Sequence, residues 1–142
     1  VISFTVKMKP VAKARARTGK GFAYTPKKTV DAEKKIAGYG LEAMLKAGLK
    51  PLSGPIAMDL EFVIAPTGSW SKKKKAEALS LKGFPVSRPD LDNYCKLVSD
   101  ALNGVCYNDD SQIVKLNAKK VFGPHDKVVI HIEELQGDGC HE

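Results

Sequence analysis

Residues 55–65 alternate strictly, with Ile56, Met58, Leu60, Phe62 and Ile64 pointing one way. Successive side chains on a strand face opposite sides, so this segment reads as a β-strand with one buried face. Such a strand needs neighbours for its backbone and a covering layer for its apolar side. The same period recurs at 2–8, where Ile2, Phe4, Val6 and Met8 oppose Ser3, Thr5 and Lys7. It recurs again at 112–122 and 127–135. In the first, Val114, Leu116 and Ala118 oppose Lys115, Asn117 and Lys119; in the second, Val128, Ile130 and Ile132 face in. Gly123-Pro124-His125-Asp126 between them reads as a hairpin turn.

Between the strands the pattern turns helical. Thr25-Pro26 suits a helix start, Thr at the N-cap and Pro in the first turn. A helix over about 26–47 would bury Val30, Ala37, Leu41, Met44 and Leu45. Gly38 and Gly40 weaken it by ~1 kcal/mol each relative to Ala. Ser71 suits the cap of a lysine-rich helix at 72–80, and 82–89 is extended around Pro85 and Pro89. A further helix at 90–103 buries Leu91, Cys95, Val98 and Leu102 and stops at Asn103-Gly104. Residues 9–24 lack any period and read as a basic loop. The order β-α-β-α-α-β-β predicts an α+β fold. It is a single-domain mixed sheet of about four strands with two main helices, spanning 1–135, followed by a polar tail at 136–142.

Charge narrows the function. The net charge is +7, yet Lys7, Lys9, Lys13, Arg15, Arg17, Lys20, Lys27 and Lys28 fall in residues 1–30, which hold no acid. The remaining 15 basic and 16 acidic residues nearly cancel. A cationic segment of this kind points to an anionic partner, nucleic acid first. No apolar run is long enough to span a membrane, and the N-terminus lacks a signal-peptide core. Cys95, Cys106 and Cys140 share no metal-binding or disulfide spacing, so free thiols in a reducing cytoplasm are expected. His125, His131 and His141 form no ligand motif, and no Walker-type loop or GxSxG occurs. Lys72–Lys75 reads as a solvated face. Trp70 and Phe84 beside it suit packing on lysine stems more than base stacking.

Against this background two acidic clusters stand out. One is Arg88-Pro89-Asp90-Leu91-Asp92-Asn93 at the start of the 90–103 helix; the other is Asn108-Asp109-Asp110 just beyond it. Lys96 lies four residues after Asp92 and shares its helix face. Gathered carboxylates repel unless a hard cation neutralises them. Mg²⁺ is held by one or two carboxylates together with water and substrate phosphates. A metal and a lysine beside a phosphate make up the chemistry of phosphodiester cleavage. A helix of about 14 residues runs roughly 20 Å, so Asp110 meets Asp90 only if the chain folds back or a second subunit intervenes.

The block Asp90-Leu91-Asp92-Asn93-Tyr94-Cys95-Lys96, followed by Asn108-Asp109-Asp110-Ser111-Gln112-Ile113, resembles the RusA family of Holliday junction resolvases. Lys9-Pro10, Arg15-Ala16-Arg17 and Tyr24-Thr25-Pro26 resemble that family's opening stretch. The resemblance implies a homodimeric, Mg²⁺-dependent endonuclease that nicks opposed strands of four-way junction DNA, with Mn²⁺ an acceptable substitute. It places the essential, metal-binding carboxylates on Asp90, Asp92 and Asp110, and the functional lysine on Lys96. Asn93 and Asp109 are candidate supporting residues. Lys13, Arg15, Arg17, Lys20, Lys27 and Arg88 are candidate DNA-backbone contacts. The rival reading is a non-catalytic, basic nucleic-acid-binding module whose aspartates are only caps. A nucleotidyltransferase built on its own DxD fits poorly, because Gly68-Ser69 lies far upstream of Asp90.

Overall fold

A computed structural model describes residues 1–14, 17–19, 22–24, 26–66, 68, 70–79 and 84–136, with the side chains of 17–19 and 22–24 excepted. Arg15, Lys20, Thr25, Cys140, His141 and the Arg17 side chain therefore lie outside the described residues.

The strands are β1 (Ile2–Val6), β2 (Arg17–Gly19), β3 (Phe22–Tyr24), β4 (Ile56–Ile64), β5 (Ile113–Phe122) and β6 (Lys127–Glu134). The helices are α1 (Lys27–Ala47), α2 (Lys72–Leu79) and α3 (Leu91–Ala101), and a single 3-10 turn covers Asp110–Gln112. The fold is α+β, as the alternation predicts. Four strands form one mixed sheet in the order β1-β6-β4-β5. β4 and β5 run parallel, while β4 and β6, and β6 and β1, run antiparallel.

Two expectations about the strands need correction. Part of the basic 9–24 segment is a small antiparallel ribbon, β2 on β3, pairing Arg17 with Tyr24 and Gly19 with Phe22. Strands of three residues are too short to show a period. Second, β5 and β6 are not a hairpin, because β4 lies between them. Gly123–Asp126 crosses the end of β4 instead. The Gly123 N–H donates to the Ile64 carbonyl at 3.1 Å, and the Ala65 N–H donates to Asp126 Oδ1 at 2.8 Å. A Cβ on Gly123 would stand 2.3 Å from Val63 Cγ1, so any larger residue must push that side chain aside.

The core lies between one sheet face and the helices. Ile2, Val6, Met58, Leu60, Phe62, Val128, Ile130 and Ile132 are buried there, under Ile36 and Met44 of α1 and Tyr94, Leu97 and Val98 of α3. Phe62 of β4 stacks on Tyr94 of α3 with ring centroids 5.0 Å apart.

The buried face of α1 differs from the expected stripe. Thr29, Ala32, Ile36, Gly40 and Met44 face in, while Leu41 and Leu45 are 51% and 69% exposed. Gly40 explains the rotation. A Cβ there would meet Leu102 Cδ2 at 2.7 Å and Cys106 Sγ at 3.3 Å, so the bare backbone permits close packing. The helix runs unbroken through both glycines. Its N-cap position is Pro26, one residue later than expected and without a side-chain cap. Gly48 closes it in the left-handed conformation, at φ 67°.

α2 is capped as expected, with the Lys74 N–H donating to Ser71 Oγ at 3.2 Å. Trp70 packs edge-on against Phe122, and Lys74 Nζ lies 4.3 Å from the Trp70 ring. That is the packing role expected of this tryptophan. No helix among the described residues is long and apolar enough to cross a membrane.

A candidate active site of carboxylates and lysine

The site is built on α3. Asp90 takes the N-cap position with extended backbone, but its side chain makes no cap hydrogen bond. Asp92 follows in the first turn, and Lys96 and Asp100 succeed it at four-residue steps along the same polar face. The opposite face buries Tyr94, Cys95, Leu97, Val98 and Ala101, which fixes how the polar face is presented.

The chain after α3 then doubles back. Gly104, at φ 74°, allows the turn. Buried Tyr107 donates its hydroxyl to the Ser99 carbonyl at 2.6 Å. The Leu52 N–H donates to the Cys106 carbonyl, and the Asn108 N–H to the Leu52 carbonyl. This return brings Asp110 beside the middle of α3 rather than its start.

Asp109 caps the 3-10 turn that presents Asp110. Its carboxylate accepts from the Ser111 N–H at 3.1 Å, and its own N–H donates to Gln112 Oε1 at 2.8 Å. The hydrogen bonds from Ser111 hold the Asp109 carboxyl below the usual range. Gln112 Nε2 donates in turn to the Leu52 and Gly54 carbonyls, which ties the turn to the segment before β4.

Asp92, Lys96 and Asp110 consequently line one groove of about 680 Å³, with Leu91, Met58, Leu116 and Ala118 as its apolar floor. Leu116 is exposed where it lines this groove, whereas Val114 does not line it and is exposed at the register shift between Ile113 and Lys115. Lys96 Nζ is 3.7 Å from Asp110 Oδ2 and 3.1 Å from Asp100 Oδ1. Asp100, and then Asp110, raise the lysine's pKa above its ordinary value. Asp90 is exposed and does not line the groove.

Among the described residues, no three His, Cys, Asp or Glu side chains gather closely enough to enclose a metal. The donor set nonetheless suits Mg²⁺. Asp92 and Asp110 are hard oxygen donors opening on one groove, and Mg²⁺ characteristically leaves its other positions to water and phosphate. Cys95 also lines the groove, but burial, and secondarily the charge of Asp92, pushes its thiol up to about 11. A protonated thiol is a poor nucleophile and a poor ligand.

The candidate DNA contacts are dispersed. Lys27 opens α1 and is exposed, as is Arg88 beside Asp90. Lys13 is turned inward instead. Its Nζ is 2.7 Å from Glu33 Oε1 and 3.3 Å from Asp100 Oδ2, and its N–H donates to the Asn93 carbonyl at 2.9 Å. Burial pulls the Lys13 pKa down, but the two carboxylates outweigh it and raise it overall.

Sequence reasoning missed two side chains here. Asp100 joins Lys13 to Lys96. Lys120 of β5 donates to the Ser87 and Pro89 carbonyls at 2.9 and 3.1 Å, tethering the segment that leads into Asp90. For Asp100, the Lys96-x-x-x-Asp100 spacing was the signal to follow. For Lys120 there was none, because its partners lie more than 30 residues away.

Fold and groove together define a small α+β protein with carboxylates and a lysine on an open cleft. Comparison with known proteins makes the class specific. The family model for endodeoxyribonuclease RusA matches residues 7–133. The Bacillus subtilis (strain 168) protein called uncharacterized protein YqaN is 35% identical over 140 residues, 94% of this chain and 96% of that protein. A Lactococcus phage r1t protein named crossover junction endodeoxyribonuclease rusA is 48% identical over 53 residues, 37% of this chain and 40% of that protein. The chain belongs to the RusA family of endodeoxyribonucleases, enzymes that hydrolyse phosphodiester bonds in DNA.

Proposed function

We propose that this protein is a Mg²⁺-dependent endonuclease that resolves four-way DNA junctions by paired nicking. It would act as a cytoplasmic homodimer in recombination and repair, with Mn²⁺ able to replace Mg²⁺. The observation that carries this reading is the shared groove of Asp92, Lys96 and Asp110 in a chain of the RusA family.

In this reading Asp92 and Asp110 hold the metal from the groove, and Asp90, which does not line the groove, is the third ligand by the family resemblance alone. When bound, the metal supplies Lewis-acid polarisation of the scissile phosphoryl group. Lys96 donates to a non-bridging phosphate oxygen and offsets the negative charge that builds as the bond breaks. Arg15, Arg17, Lys20, Lys27 and Arg88 hold the phosphate backbones of the junction arms, while Lys13 anchors the cationic segment to α3. Asn93 and Asp109 support the metal-binding side chains. Two-fold symmetry suits the substrate, since a junction requires two cuts related by its own axis.

The test uses a labelled synthetic four-way junction and a linear duplex of matched sequence, each with Mg²⁺ and with EDTA. Symmetric nicks in the junction alone, and only with metal, are expected. Asp110→Asn should abolish cutting and retain binding. Lys96→Ala should slow cutting by about 10²–10³-fold, the scale of losing one transition-state donor, with little change in affinity. Junction binding without any cutting by the wild-type protein would return the reading to a basic binding module.

A further inference from the structure

We propose that Asp100 is a positioning residue for Lys96, holding its ammonium off Asp110 so that Asp110 stays available to a divalent cation. The proposal rests on the reading of this groove as a metal-dependent nuclease site.

Asp100 sits at the centre of a continuous run of opposite charges. Glu33 of α1 pairs with Lys13 at 2.7 Å, Lys13 with Asp100 Oδ2 at 3.3 Å, and Asp100 Oδ1 with Lys96 at 3.1 Å. The last step, Lys96 to Asp110, stretches to 3.7 Å. Both Asp100 oxygens are thus engaged, each by a different ammonium. The Asp100 side chain is 19% exposed, whereas Lys96 is 56% exposed on a flexible stem. The better-held partner sets the place of the mobile one.

Without Asp100 the carboxylate nearest to Lys96 is Asp110. Lys96 would then swing onto it as a direct ion pair. An ammonium paired with a metal-binding carboxylate competes with the metal for the same lone pairs. It also leaves the lysine out of place for phosphate. Asp100 therefore guards both parts of the site while touching neither metal nor DNA. Lys13 keeps Asp100 in place, so the root of the cationic segment is part of the same device.

The test compares the wild-type protein with Asp100→Asn, Asp100→Glu, Lys96→Ala and the Asp100→Asn/Lys96→Ala double variant. Mn²⁺ binding is followed by electron paramagnetic resonance, and single-turnover junction cleavage is measured across a Mg²⁺ titration. Asp100→Asn should weaken Mn²⁺ binding severalfold. It should slow cleavage by about tenfold to a hundredfold, the scale of a side chain misplaced by an ångström. Junction affinity in EDTA should be unchanged. Asp100→Glu, which keeps the charge, should restore most of the metal affinity. The decisive arm is the double variant. With Lys96 removed, loss of Asp100 should no longer weaken Mn²⁺ binding, and cleavage should be no slower than for Lys96→Ala alone. Equal weakening in both backgrounds would make Asp100 a ligand itself and overturn the proposal. Unchanged Mn²⁺ binding in Asp100→Asn would overturn it as well. Should the wild type bind Mn²⁺ yet cut no junction, the nuclease reading fails, and the Mn²⁺ arms still judge Asp100.

Discussion

Cys95 shows how one residue's surroundings decide its chemistry. It stands in the groove one turn from Asp92, where a reactive thiol would be noticed. Burial, with Asp92 adding to it, pushes this thiol to about 11, and burial alone does the same for Cys106. At pH 8 the thiolate is then about one part in a thousand. Iodoacetamide at pH 8 should leave both cysteines unmodified in the native protein and modify both in urea, as read by mass spectrometry. A rapid native adduct at Cys95 would show that the thiol is not sequestered. Because both folded pKa values lie above the ordinary 9.0, their contribution to stability is complete below pH 9 and is lost as pH rises toward 11. At this scale the sequence was partly legible. Asp92, Lys96 and Asp110 stood out because their chemistry is local and their spacing is short. The inward pairing of Lys13, expected only as a DNA contact, was not legible, because its partners Glu33 and Asp100 lie 20 and 87 positions along the chain.

At the scale of elements, alternation reveals strands well and neighbours poorly. β4, β5 and β6 each announce themselves, yet nothing in their period says that β4 divides the other two. A single glycine marks the division. Gly123 crosses so near Val63 that any Cβ must displace it. Gly123→Val should therefore cost about 1–3 kcal/mol, the range of an overpacked site, read from the urea midpoint. An unchanged midpoint would show that the crossing can yield. Gly40 has the same effect on α1. Leu41 and Leu45 are larger and more apolar than Thr29 or Ala32, but a glycine that lets two elements touch outweighs them in choosing the buried face. Expectations based on hydrophobicity alone point the helix the wrong way for this reason.

At the scale of the molecule, the cationic segment and the acidic groove are physically joined. Lys13 belongs to the segment by sequence, but its charge is already spent on Glu33 and Asp100. The formal charge of the first 30 residues therefore overstates what faces DNA. Salt dependence separates the two kinds of cation. Replacing Arg15 and Arg17 with Ala should flatten the log–log salt slope of junction binding by ~0.9 for each phosphate that is no longer neutralised. Lys13→Met should leave that slope unaltered. A slope that fell with Lys13→Met and stayed constant without the arginines would reverse these assignments.

The closing of the sheet carries a further consequence, for how the protein is made. At the sheet's edge β1 pairs with β6, setting Ile2 opposite Ile132 and Val6 opposite Val128. Pairings across so much sequence form late and slowly, since a long loop must be closed before they give anything back. On the ribosome, β1, α1, β4 and α3 all emerge before β5 and β6, the strands that complete the sheet. The groove, which needs β5 as its far wall, has no shape until that strand is synthesised. Asp110 likewise joins Asp92 and Lys96 on that groove only after the turn that leads into β5 has been made.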